Sequence, residues 1–262
     1  MPIKKTPTLI PDLCADLLSS SLLRLLPNVD TWDIPGLSLV WGDGTLDAAI
    51  YQAHHLLMDA RNAFPLYAGC PDALTRSLYA RMYAEKTRAL IPAPLHPVTA
   101  GQLCNSQHAV EFLIDHCRAN DAISMICAGP LTNLAAALLI APDIADTIAV
   151  VALTCDIEGG IISGTSIEHD LEASAIVFQR CRKVALIPRT IDGRAVFRNS
   201  LDKLLMSYIM MPQSSVRERP VTIKVYCNQG RGLAILQNTA GNTRLVQEFD
   251  TTFLEKTDIF HW

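Results

Sequence analysis

Aromatic residues make up only 6% of this 262-residue chain, and charged residues only 18%. The first scarcity excludes a core built on stacked rings, so aliphatic packing must carry the fold. The second leaves half the residues hydrophobic, with mean hydropathy +0.22, which calls for extensive burial or a large subunit interface. There is no large positive balance. The net charge of −4 argues against a general nucleic-acid binder. None of the eight cysteines belongs to a C-x-x-C pair or stands at metal-ligand spacing from a histidine. Several lie inside apolar runs, where a free thiol behaves as a small hydrophobe. Reduced thiols in an intracellular compartment, cytoplasm or mitochondrial matrix, are therefore expected. The N-terminal MPIKKTPTLIPDL has the character of neither a secretory signal nor an Arg/Ser-rich transit peptide.

One long uncharged run is present, from Ala122 to Pro142, and its length would span a bilayer. Gly129-Pro130 and Thr132-Asn133 fall in its middle, where lipid would leave backbone groups unsatisfied. It reads instead as a buried strand, a turn and a helix, with no membrane span.

Elsewhere short apolar runs alternate with helical periodicity. Strands are expected at 37–41, 65–68, 122–127, 148–153 and 184–188. Helices are expected near 12–26, 45–62, 74–88, 106–119, 130–140, 170–182 and 199–211. This alternation implies an α/β fold with a mostly parallel sheet and helices on both faces. After Pro212 three strands, at 220–227, 232–238 and 243–248, read as a C-terminal antiparallel meander before a last helix at 250–257. With no internal repeat or long linker, one domain over residues 1–262 is expected.

Gly42-Asp43-Gly44-Thr45-Leu46-Asp47 opens a helix after a strand, as a dinucleotide-binding loop would. Asp47 stands where the third glycine is needed and would oppose a pyrophosphate, so a tight turn capped by Asp43 or Thr45 accounts for it better. His54 and His55 lack a carboxylate arrangement that would make a ligand pair, and Ser19-Ser20-Ser21 lack a nucleophile-elbow context. His169-Asp170 is the one HD dipeptide, and its aspartate sits where a helix cap is wanted. Between Arg180 and Arg219 nine Lys/Arg face three Asp/Glu. This stretch is either solvated surface or a partner-facing patch drawn from Arg180, Arg182, Lys183, Arg217 and Arg219.

The most distinctive segment is ICAGPLTNLAAA, Ile126 to Ala137: an apolar strand, a Gly-Pro break, and a helix with apolar residues at i, i+3, i+4, i+7 and i+8. A second block, DLEASAIVF, spans Asp170 to Phe178. Together these resemble the inosine-uridine nucleoside hydrolase family, which carries GPLTNLA and DPEAA-IVF in this order. LSLVWGDGTLDAA is similar to that family's ITTVAGN-SLEQA segment, with Asp43 where an active-site asparagine usually stands.

The resemblance implies a nucleoside-hydrolase-like α/β fold over most of the chain. In active members a DxDPGxDDA strand end grips Ca²⁺, which activates the attacking water while carboxylates steady an oxocarbenium-like sugar. The matching stretch here runs from Leu9 to Leu17. Asp12 and Asp16 keep two of the carboxylate positions. Ile10 replaces the strand-end aspartate, Leu13-Cys14 the Pro-Gly turn, and Leu17 the second of the paired aspartates. A backbone ligand maps to Ala128, a double glycine to Leu153-Thr154, and a ribose-holding glutamate and asparagine to Gly164 and Ser166. No histidine lies between Asn199 and Pro220, where the HD pair of the family's C-terminal lobe would supply a leaving-group acid and another metal ligand. These losses imply a catalytically degenerate relative without a cofactor, acting as a structural or accessory subunit among other protein subunits. The alternative is a divergent N-ribohydrolase working through Asp12, Asp16 and Asp43 around Ca²⁺. Taken alone, Asp12 and Asp16 are two acids four apart on a helix, or a cap and a first-turn acid.

Overall fold

The computed structural model of the protein describes residues 6–26, 31–58, 64–75, 98–196, 201–211, 213–228 and 231–249. The helices expected at 74–88 and 250–257 lie essentially outside these residues. Five strands run parallel in the order β3-β2-β1-β4-β5: β1 (Thr8–Leu13), β2 (Leu37–Leu39), β3 (Leu66–Ala68), β4 (Ile123–Cys127) and β5 (Ile148–Glu158). β1 and β4 are buried along their whole length, as strands covered on both faces must be.

Two aliphatic clusters sandwich this sheet. On one face Phe112 and Leu113 of α3 (Ala109–Ala119) and Leu134 and Leu138 of α4 (Thr132–Ile140) meet Met125 and Val151. On the other, Leu22 of α1 (Leu17–Leu25) and Ile50 of α2 (Leu46–Met58) meet Leu9, Leu13 and Ile126. Met125 and Ile126 enter opposite clusters because successive strand residues point to opposite faces. The uncharged run from Ala122 to Pro142 is thus β4, a turn and α4. No helix among the described residues is long and apolar enough to cross a membrane.

The expected mostly parallel sheet is corrected by the second half of the chain. β6 (Ile161–Ser163) turns back on β5. β7 (Val184–Ile191) pairs parallel to β5, and β8 (Arg194–Ala195) hairpins onto β7. Helices α5 (Thr165–Glu168) and α6 (Leu171–Arg180) precede β7, and α7 (Leu201–Met210) follows β8. The last strands are β9 (Val216–Asn228), β10 (Arg231–Gln237) and β11 (Thr243–Phe249). They do not form a meander in chain order. β9 is long enough that residues 222–228 pair with β10 and residues 216–221 with β11. β10 also pairs with β6, and β11 lies parallel to β7. The ring β5-β6-β10-β9-β11-β7 therefore closes into a barrel. Among the described residues six strand pairings are parallel and five antiparallel, a mixed sheet.

The helix expected at 12–26 begins only at Leu17. Thr8 to Asp12 are held extended by register with Ile123 to Cys127, so Asp12 belongs to a strand and Asp16 alone caps the helix. Asn133, fully buried on α4, ties the strand ends together. Its Nδ2 donates to Asp12 Oδ1 (2.9 Å), Ser38 Oγ (3.0 Å) and the Leu39 carbonyl (3.1 Å), and its Oδ1 accepts from Cys70 N (2.8 Å). Gly69 makes room for this amide: a Cβ there would lie 2.5 Å from the Leu39 carbonyl and strike both terminal atoms of Asn133. Gly69→Ala is expected to cost about 2–4 kcal/mol by displacing the amide, read as a lower urea midpoint with an unchanged m-value. An unchanged midpoint would show that Asn133 does not organise these strand ends.

Candidate functional site

A cleft of about 380 Å³ opens where β1, β4 and β5 end, walled by the α1 N-terminus, the α5 region and the start of α7. Open α/β sheets hold ligands at this carboxyl edge. Asp16, Asp43 and Ala128, three of the residues singled out from sequence, line it together. So do Thr154, Gly164 and Ser166, the positions matched to the double glycine and the ribose-holding pair. Asp12 is not among the lining residues and is completely buried.

Three of the four acids that line the cleft, Asp16, Asp43 and Asp156, have local partners; the fourth, Asp202, stands in the first turn of α7. Asp16 is the N-cap of α1, its Oδ1 accepting from Ser19 N at 2.6 Å. Burial raises its pKa, and the nearby Asp43 adds to that. Asp43, about one-third exposed, has Oδ1 2.9 Å from Nε2 of the buried His169. The His169 ring is tilted against Trp41, with centroids 5.8 Å apart. Asp156 accepts the Arg189 guanidinium together with Thr190 N (3.1 Å) and Thr190 Oγ1 (2.7 Å). Arg189 holds its carboxyl below the ordinary range. Ser166 Oγ is turned into the wall, donating to the Cys127 carbonyl at 2.9 Å.

Neither the Asp156–Arg189 pair nor the Asp43–His169 contact was expected from sequence. Both join residues on different elements, and only the register of β7 against β5 brings Asp156 and Thr190 together. A signal did exist for neighbouring positions. Asp170 caps α6 by accepting from Ala173 N at 3.0 Å, and Thr45 Oγ1 accepts from Ala48 N at the start of α2. Asp170 also takes Thr132 Oγ1 and Leu74 N, both at 2.8 Å, so it is committed to the scaffold.

Calcium takes six to eight oxygens, carboxylates foremost. Among the described residues no three His, Cys, Asp or Glu side chains gather where they could hold a metal ion. Asp16 Oδ1 serves the helix cap, and Asp12 Oδ1 accepts from both Ser38 and Asn133. Asp12 Oδ2 is buried without a hydrogen-bond partner. Among the described residues, then, these donors do not gather into a calcium cage.

The basic stretch is dispersed. Arg180 donates to the Leu138 carbonyl, Arg182 pairs with Asp146, and Lys183 with Glu218. Arg217 pairs with Glu248, and Arg219 donates to Asn238. Asp146 and Glu248 from outside the stretch, Glu218 within it, and the Leu138 carbonyl thus meet much of its local charge.

Burial pushes the Asp12 carboxyl up to about 7, against the lowering effect of its Ser38 and Asn133 hydrogen bonds. The folded-state value lies above the unfolded one, so the neutral acid is the stabilised form. Its contribution is full below about pH 4 and is lost as pH rises through about 7. Asp12→Asn keeps the Oδ1 acceptor and removes the ionisation. In chelator-containing buffer it is expected to exceed the native protein in stability by about 2–4 kcal/mol at pH 8. The difference should vanish towards pH 4, as followed by urea midpoints across that range. Parallel pH profiles for the two proteins would show that Asp12 does not titrate in this window.

The family described as inosine-uridine preferring nucleoside hydrolase matches residues 15–203 of the chain. The pyrimidine-specific ribonucleoside hydrolase RihB of Escherichia coli is 29% identical over 113 residues. That match covers 43% of this chain but only 36% of RihB, so the chain aligns with little more than a third of this relative's length. Among solved structures, an inosine-uridine preferring nucleoside hydrolase from Bacillus anthracis superposes with a TM-score of 0.69 at 14% identity. The superposition covers 93% of this chain and 94% of that one. A purine-preferring ribonucleoside hydrolase from Gardnerella vaginalis gives 0.69 at 17% identity over 95% and 96%. These superpositions establish the shared fold. Joined to the match over residues 15–203, they show that this chain belongs to the inosine-uridine preferring nucleoside hydrolase family.

Proposed function

We propose that this chain is a nucleoside-hydrolase-like protein that has lost metal-dependent hydrolysis and serves as a structural or accessory subunit of a larger protein assembly. The observation that carries the reading is the donor set of the cleft: of its four lining acids, Asp16 caps a helix, Asp43 meets His169 and Asp156 is held by Arg189, and no three metal-binding side chains gather among the described residues. N-glycosidic cleavage needs an activated water and stabilisation of an oxocarbenium-like sugar. Asp16 and Asp43 line the cleft and can accept hydrogen bonds from sugar hydroxyls, but a carboxylate does not lower the pKa of water as a bound cation does. Loss of a leaving-group acid would by itself cost about 10²–10⁴ in rate. The accessory role is supported by the apolar composition and by Leu139 and Ile140, which stand 49% and 70% exposed at the end of α4.

One observation favours the second reading, a divergent N-ribohydrolase. The cleft has the volume of a small-molecule site, and Asp43, one of its lining residues, has Oδ1 2.9 Å from His169 Nε2.

Base release from a panel of purine and pyrimidine nucleosides, with Ca²⁺ and with chelator, separates the two. The expected result is no release above the protein-free rate and no calcium-dependent rise in Tm. A site with a Kd of about 10 μM would add about 2.7 kcal/mol at 1 mM Ca²⁺, an easily visible shift. Chelator-sensitive release that disappears in Asp16→Ala would establish the hydrolase instead.

A further inference from the structure

We infer that a pocket at the amino end of β1 is a binding site for a primary ammonium group carried on an alkyl chain. The pocket measures about 450 Å³ and is lined by Thr6, Thr8, Trp32, Asp33 and Asn120. Thr8 opens β1, whereas the cleft lies where β1 ends, so the two sit at opposite edges of the sheet. Binding there is independent of whether the cleft is active.

The fold holds these residues in place through bonds that leave the pocket side open. Asp33 lies parallel to Thr8 and is pinned by its main chain: its N donates to the Pro7 carbonyl and its carbonyl accepts from Leu9 N, both at 2.9 Å. Its carboxylate has no partner among the described residues. Asn120 caps the end of α3, where its Nδ2 donates to the His116 carbonyl at 2.9 Å. That bond orients the amide, so Oδ1 is the atom turned to Thr8, whose Oγ1 lies 3.5 Å away. Trp32 packs on the aliphatic cluster that holds α1 and α2, and the rest of its indole is left to the pocket.

The chemistry of the lining selects the occupant. It offers a carboxylate, an amide oxygen and two hydroxyl oxygens, and neither Lys nor Arg is among the lining residues. A primary ammonium carries three N–H donors and no acceptor, the complement of that set. A phosphate or carboxylate would instead meet Asp33 as a like charge. The C-terminal end of α3 points its partial negative charge here, through its cap Asn120. The basic residues of its last turn are engaged elsewhere: His116 Nδ1 lies 2.9 Å from the Phe112 carbonyl oxygen, and Arg118 pairs with Asp143. Indole is the best aromatic partner for a cation, and it also covers the methylenes behind the charge. Such a group comes from a lysine side chain of a partner protein or from a free alkylamine.

An NMR titration of the full chain with n-butylamine at neutral pH, followed through the tryptophan indole N–H signals, tests the inference. The chain has three tryptophans, and Trp32→Phe identifies the signal of residue 32. The expected result is a saturable shift of that signal at millimolar amine, with none from n-butanol, which has the same chain without the charge. Tetramethylammonium, a cation without N–H donors, should bind several-fold more weakly. Asp33→Asn should weaken butylamine binding about three- to fivefold. It should leave the unfolding midpoint at the native value, because the bonds that pin Asp33 are main-chain. Nα-acetyl-lysine methylamide and spermidine then separate the sources. A lysine derivative that binds as well as butylamine supports a partner protein's side chain, and spermidine bound about tenfold tighter supports a free polyamine. No shift of the Trp32 signal up to about 50 mM butylamine overturns the inference. So does an equal response to butanol or to tetramethylammonium, and so does binding unchanged in Asp33→Asn.

Discussion

Parallel strands ending side by side leave carboxyl, hydroxyl and backbone groups crowded in the interior, and in this protein the Asn133 amide meets them. It donates to Asp12, Ser38 and the Leu39 carbonyl and accepts from Cys70 N, so one side chain joins β1, β2 and the segment after β3. Only an amide can do this, since a carboxylate lacks the donors and an aliphatic side chain would leave every partner unsatisfied. Thr132, one residue earlier, accepts from Trp41 Nε1 and donates to Asp170, tying the end of β2 to the start of α6. The close approach of β1 and β2 also depends on Gly129, where a Cβ would meet Val40 and Cys14. The Gly-Pro-Leu-Thr-Asn segment is therefore a scaffold element. Its role in holding the strand ends together does not depend on a bound metal.

From that anchored edge the sheet continues into a barrel. β5 is the hinge between the two halves: its first residues pair with β4 and its last with β6, while β7 runs along its other side. β11 against β7 then closes the ring, and the enclosed side is filled by Ile157, Ile162, Val221, Ile223 and Leu245. A small aliphatic interior of this kind is what a chain poor in aromatics can build. The surplus of apolar residues is left on the outside, at Ile161 and Tyr226 and at the end of α4.

How far the cleft was legible depended on what kind of relation joined its residues. Asp16, Asp43 and Ala128 could be named because a linear resemblance carries linear positions, and the fold does bring them to one cleft. Asp12 was named with them, but its chemistry was hidden. Its burial and its orphaned Oδ2 follow from the pairing of β1 with β2 and β4, which no local pattern encodes. The Asp156–Arg189–Thr190 cluster and the His169 contact with Asp43 were not legible at all, because each is assembled across strands or between a loop and a helix start. The basic stretch after Arg180 illustrates the converse. Its charge was plain in the sequence, and its partners Asp146, Glu218 and Glu248 could be seen only in the fold.

The sequence by itself determined the kinds of elements and their order. Hydrophobic period separates strand from helix, capping residues such as Asp170 and Thr45 mark where helices begin, and a Gly-Pro break rules out a membrane span in an otherwise suitable run. Tertiary structure alone decided which strands become neighbours. It extended β1 through Asp12 where helical spacing had been read, put β9 between β10 and β11, and turned an expected parallel sheet with a meander into one mixed sheet closed on itself. The reason is physical. Side-chain periodicity records which face of an element is buried, whereas strand pairing is settled by backbone hydrogen bonds between segments far apart in the chain, whose partners any extended residue can supply.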